Sequence, residues 1–209
     1  CMTLVRYGNL CLNDFKDFNA AYGLYASALQ ADPSHHKAHY GMAYLNQQLG
    51  NRTLAAHHYE LALKFNPSFF PALGNYASML YEEHVDLDLK TKSTDNIIKA
   101  SKLYETAVLL QPSNVANLLN YGMLLENVFC KDVKAEFLYR TALSYDQTNS
   151  DAICMLSNVI FRRNDEDVGE VKTLLFQALE FNPSHVPTLL RLGELHHNHL
   201  TNLTNHMVQ

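Results

Sequence analysis

Long apolar runs are missing from this chain of 209 residues. The longest span only a few positions, far short of the roughly 20 that a membrane-crossing helix requires, so neither a transmembrane segment nor a membrane partner is expected. Basic clusters are missing too. The 16 Lys and Arg are scattered among 21 Asp and Glu, a formal charge of −5, which removes the electrostatic footprint of a dedicated nucleic-acid binder. Cysteine is sparse: Cys1, Cys11, Cys130 and Cys154 lie far apart with no CxxC pair, against a zinc ribbon or a disulfide scaffold. Reduced thiols in the cytoplasm or another reducing intracellular compartment are predicted. Phosphate-binding, dinucleotide-binding, serine-nucleophile and zinc-protease motifs are all absent, so no catalytic residue, no cofactor and no metal is expected, and the chain is not predicted to be an enzyme. No charged-then-apolar leader opens the sequence, and a start at Cys1 rather than Met suggests a segment of something longer.

What is present is a core-forming composition, 47% hydrophobic, too apolar for general disorder, and an internal period. An Ala follows an aromatic or large anchor by three residues at Ala28, Ala62, Ala107, Ala142 and Ala178, spaced 34, 45, 35 and 36. Ahead of each marker runs a second pattern. A small residue (Gly8, Ala43, Ala77, Gly122, Ser157, Gly193) follows a large apolar one, with further apolar residues three positions to either side. Both patterns have helical spacing, and Asp-Pro, Asn-Pro or Gln-Pro closes most units, where the residue before Pro leaves helical geometry. Each unit is therefore predicted to be a helical hairpin. Stacking buries the faces that one hairpin alone leaves open.

Leu192-Gly193, Tyr76-Ala77 and Ala55…Tyr59…Ala62…Pro67 together resemble the tetratricopeptide repeat (TPR) family, and the likeness recurs over nearly the whole chain. It implies an all-α, right-handed α-α superhelix of five hairpins plus the first helix of a sixth. Repeats are expected at about 1–34, 35–68, 69–113, 114–148, 149–184 and, in part, 185–200, as one array with a polar tail at 201–209. The third repeat carries an inserted turn at 84–95. In the second, His39 and Asn46 stand where apolar residues are usual, and a looser first helix is expected. The last helix is expected to leave Leu189, Leu192 and Leu195 without their usual cover.

The resemblance also implies that the first helix of each hairpin lines a concave groove, through positions two before, one after and five after the small residue. Seven of these eighteen positions are Asn, in a chain with 19 Asn in total. The candidate peptide-binding residues are Asn9 and Asn13 in the first repeat, Tyr44 in the second and Asn75 in the third. Asn120, Met123 and Asn127 follow in the fourth, Asn158 and Arg162 in the fifth, and Asn198 in the sixth. An Asn side chain both donates and accepts, so it can read a peptide backbone whatever side chains the partner carries. Asn13, Asn127 and Asn198 also fit as helix ends. The predicted function is a non-catalytic scaffold holding an extended segment of a protein or peptide partner. The alternative is the recruiting or regulatory arm of a larger enzyme whose catalytic domain lies elsewhere. A metal is a lesser possibility for the histidines, since His35 and His39 are four apart; solvated or capping roles are favoured.

Overall fold

The computed structural model describes the backbone of residues 1–86, 94–163 and 168–207 and the side chains of 1–85, 94–163 and 168–197. Among these residues the chain forms eleven helices. They are α1 (Met2–Asn13), α2 (Phe18–Ala31), α3 (His36–Gln48), α4 (Arg52–Phe65), α5 (Phe70–Asp86), α6 (Thr94–Leu110), α7 (Val115–Asn127), α8 (Asp132–Tyr145), α9 (Ser150–Arg163), α10 (Val168–Phe181) and α11 (Val186–Met207). Successive pairs make five hairpins and α11 stands alone, so the predicted all-α hairpin fold is what the sequence forms. The hairpins divide into two compact units, Cys1–Gln111 and Pro112–Gln209.

Three of the turns between hairpins share one local chemistry. Asp32, Asn66 and Asp146 leave the helix with φ near −140° and ψ near 90°. Each accepts a hydrogen bond through its side chain from the residue two further on, Ser34, Ser68 or Thr148. The carboxylate or amide thereby supplies the partner that the ended helix withdraws from the backbone. The next helix is capped in turn: His35 Nδ1 accepts from the Ala38 N–H at 3.2 Å and Asn114 Oδ1 from the Asn117 N–H at 2.9 Å.

Between the helices of a hairpin, packing turns on one residue of the second helix. Tyr25, Tyr59, Tyr104, Tyr139 and Leu175 are completely buried, as are the Ala residues three positions later. The Tyr25 ring sits so close to α1 and α3 that a Cβ at Gly8 would lie 2.6 Å from it and one at Gly41 2.5 Å from it. Gly122 stands in the same relation to Tyr139, at 2.4 Å. Gly193 occupies the equivalent register on α11 and has open space beside it.

Three local expectations are revised. The second repeat is not loosened by its polar residues, because both are buried with their hydrogen bonds made: Asn46 Nδ2 donates to the Met42 carbonyl at 2.8 Å, and His39 meets His58 and the Pro33 carbonyl. At the insertion, residues 87–93 lie outside the described residues, while 84–86 and 94–95 are helical. The flanking helices α5 and α6 reach 17 residues each, so part of the extra length is spent as helix. On α11, Leu192 and Leu195 are buried and only Leu189 of the three is half exposed, beside Leu190 and Val186. The helix also continues to Met207, through most of the segment read as a polar tail.

Two glycine substitutions test the packing. Gly122→Ala should destabilise by roughly 1–3 kcal/mol, because the Tyr139 ring is fully buried and has no room to yield. Gly193→Ala should stabilise by about 0.5–1 kcal/mol, since Ala is the better helix former and meets nothing. Urea or thermal unfolding of both variants reads the two signs, and equal effects would contradict the register.

Candidate functional site

In the first unit, α1, α3 and α5 each send candidate residues to one cavity of about 320 Å³. Asn9, Asn13, Tyr44 and Asn75 line it, together with Leu12, Tyr25, Tyr40 and Gly41. Gly41 matters because its missing side chain lets the Tyr25 ring reach the cavity wall. The Tyr25 hydroxyl donates to Asn9 Oδ1 at 2.7 Å, and Asn75 Nδ2 donates to the Tyr40 hydroxyl at 2.8 Å. Burial pushes the Tyr25 hydroxyl up to about 12, helped by Tyr40 and Cys11 nearby. Burial likewise raises Tyr40, so both stay protonated at neutral pH. Among the described residues the lining contains no Lys, Arg, Asp, Glu or His.

The second unit has a cavity of about 350 Å³ with a different character. Asn158 and Arg162 line it with Glu126, Cys154, Arg191 and Glu194 among others. Arg162 bonds to Glu126 and lies 3.8 Å from Asp132, and Arg191 Nη1 bonds to Glu194 at 2.9 Å while its guanidinium stacks 4.5 Å above the Phe161 ring. Burial, and then the neighbouring Arg191, lower the Arg162 pKa. Each guanidinium is already neutralised by a carboxylate of its own unit, which argues against a site built to clamp a partner's carboxylate. Asn158 Oδ1 and Arg191 Nε are buried without a hydrogen-bond partner among the described residues.

The remaining candidates are not drawn into these two cavities. Asn120 and Met123 are half-buried on α7, and Asn127 is its exposed last residue. Asn13, although it lines the first cavity, is likewise the exposed last residue of α1. Asn198 lies on α11, and its side chain is outside the described residues.

Tyr40 and Glu126 are the residues that sequence reasoning missed. A signal for Glu126 was available. Gln47 and Glu126 each lie four residues after a small residue, and each accepts from the anchor hydroxyl of the following helix: Tyr59 to Gln47 at 2.7 Å, Tyr139 to Glu126 at 2.6 Å. Where the anchor is Leu175, the corresponding residue is the apolar Phe161. Tyr40 carries no comparable mark, since only the packing of α3 against α5 brings it to Asn75.

No protein-family model matches the chain, and no curated protein matches it. Solved structures do. PilF of Pseudomonas aeruginosa superposes with a TM-score of 0.76 at 18% identity, over 97% of this chain and 86% of that one. YrrB, described as a TPR protein with an unusual peptide-binding site, gives 0.70 at 18% identity over 91% and 90%. TTC0263, a TPR protein of Thermus thermophilus, gives 0.66 at 18% identity over 92% and 97%. At such identities the likeness is one of fold. The chain has the tetratricopeptide-repeat fold.

Two histidines of the second repeat, His39 and His58, pack against one another. Among the described residues no group of three or more His, Cys, Asp or Glu converges. His35 and His39 part company, the first capping α3 and the second turning to His58. Because the Pro33 carbonyl can only accept, neutral His39 carries its hydrogen on Nε2, 3.0 Å away. Its bare Nδ1 then takes the hydrogen of His58 Nδ1 at 3.1 Å. The His39 ring also stacks on Phe65 at 5.6 Å.

Burial lowers His58 to about 4, with His39 and His57 adding to the effect, and burial also lowers His39. In the unfolded chain these groups titrate near 6.5. Above that pH both states are neutral and the packing is fully favourable. As pH falls from 6.5 towards 4 the unfolded chain takes up protons that the folded pair refuses, and stability declines. The melting temperature should therefore drop between pH 7 and pH 5, with a smaller drop in His58→Gln, whose amide still donates to His39. Parallel pH profiles for the two proteins would show that the pair is not the cause.

Proposed function

We propose that this chain is an interaction scaffold with no chemistry of its own, holding an extended peptide segment of a protein partner on the inner faces of its first helices. The observation that carries the reading is the cavity of the first unit. Four candidate residues from three different hairpins, chosen by residue type at the inner positions the family resemblance implies, share it. The fold likeness to YrrB, a protein described as having a peptide-binding site, supports the same reading. So does the polarity of the first unit's cavity, which is edged by amides and tyrosine hydroxyls able to satisfy a peptide backbone.

Asn120 and Asn158 serve the same purpose in the second unit. Neither is needed by the fold: Asn158 Oδ1 has no partner among the described residues, and Ala is the better helix former. The double variant Asn120→Ala, Asn158→Ala should melt at or slightly above the parent temperature. It should bind the partner recovered by affinity purification with the parent chain about ten-fold more weakly, as expected for two lost neutral hydrogen bonds. Undiminished capture by the folded double variant would contradict the reading.

A further inference from the structure

The last helix repeats the apolar pattern of α7 without a helix like the one that α7 packs on. Val115, Leu118, Leu119 and Gly122 recur with the same spacing as Val186, Leu189, Leu190 and Gly193. On α7 the two leucines are 1% and 8% exposed, and α8 lies alongside with the Tyr139 ring against Gly122. On α11 the same two leucines are 46% and 64% exposed, and nothing stands beside Gly193. Val186, Leu189, Leu190 and Gly193 fall on one face of the helix, since spacings of three, four and seven are helical. Thr188, Leu192 and Leu195, which are buried, belong to the opposite face. The bare face lines a cavity of about 720 Å³ together with Glu194 and His197. His197 completes the likeness. It lies four residues after Gly193, as Glu126 lies four after Gly122, and Glu126 is the residue that accepts from the Tyr139 hydroxyl at 2.6 Å. An imidazole with one bare nitrogen can accept the same bond.

We infer that this face of α11 docks a helix of a partner protein that carries Ala-x3-Tyr-x2-Ala, the pattern of α2, α4, α6 and α8. The tyrosine ring fills the space at Gly193 and its hydroxyl bonds to His197, while Val186, Leu189 and Leu190 lose their exposure to water, which drives the association. The 209 residues supply no such helix themselves. Residues 198–209 contain no Phe, Tyr or Trp. Tyr25, Tyr59, Tyr104 and Tyr139 are completely buried in their own hairpins, so a second folded copy has none to offer. The inference does not rest on the peptide-binding reading of the inner cavities.

The test uses the whole chain, with a capped peptide of the α8 sequence, Asp132–Tyr145, as the probe. In nitrogen-15 NMR the peptide should shift the Gly193 amide and the His197 ring signals. A Tyr139→Ala peptide should bind about ten-fold more weakly or worse, and a Tyr139→Phe peptide, which lacks the hydroxyl, several-fold more weakly. Gly193→Leu fills the space that the ring takes. Because nothing lies beside Gly193, this variant should fold as the parent does by circular dichroism, and it should lose the peptide. Absence of shifts on α11, equal binding of the Ala or the Phe peptide, or undiminished binding by Gly193→Leu overturns the proposal. The source of the natural helix is read by photo-crosslinking from a benzophenone side chain at Leu190 in cells that make the protein. Crosslinks to a segment of a different protein that carries Ala-x3-Tyr-x2-Ala support the proposal, whereas crosslinks within the same polypeptide or to a second copy of it overturn it.

Discussion

Four of the five hairpins are built on a completely buried tyrosine, and at Tyr25 and Tyr139 the ring fills the gap left by a missing side chain. Tyr25 is pressed against the backbone of Gly8 in its own hairpin and of Gly41 in the next, closer than any Cβ could tolerate. A ring in that place both closes one hairpin and fixes its distance to the following one. The constraint recurs at Tyr139 and Gly122, and the markers downstream, from Ala28 to Ala178, are all completely buried.

The same ring ties the core to the inner face. Its hydroxyl needs a partner when the ring is buried, and the partner comes from the first helix of the hairpin: Asn9 for Tyr25, Gln47 for Tyr59, Glu126 for Tyr139. Fold and site are thus not independent layers. The residues that edge the cavities of each unit are oriented by the residues that hold the hairpins together. This is why Glu126 is in place to neutralise Arg162.

The fold was legible in the sequence because its determinants are periodic. Ala28, Ala62, Ala107, Ala142 and Ala178 mark one hairpin after another, and Asp-Pro or Asn-Pro marks the ends. Much less of the candidate site was legible. The family pattern, with residue type, picked out Asn9, Asn13, Tyr44 and Asn75, which share a cavity. It gave no sign that Asn9 and Asn75 are held by tyrosines, because the contact of Tyr40 with Asn75 spans 35 positions of sequence. The polar character of His39 and Asn46 misled for a related reason. Isolated polar letters look like defects in an apolar stripe, and only the structure shows the Met42 and Pro33 carbonyls that satisfy them. Leu192 and Leu195 looked uncovered for want of a following helix, but α11 turns them inward.

The central claim, that a partner segment lies on the inner faces and not on the outer ones, is tested most directly by photo-crosslinking from single positions. A benzophenone side chain at Tyr44 or Met123 reports on the inner helices α3 and α7, and one at Phe137, an exposed residue of α8, on a second helix. In the presence of the partner, mass spectrometry should find crosslinked partner peptides from positions 44 and 123 and none from 137. Crosslinks from 137 alone would place the partner on the second helices and contradict the account.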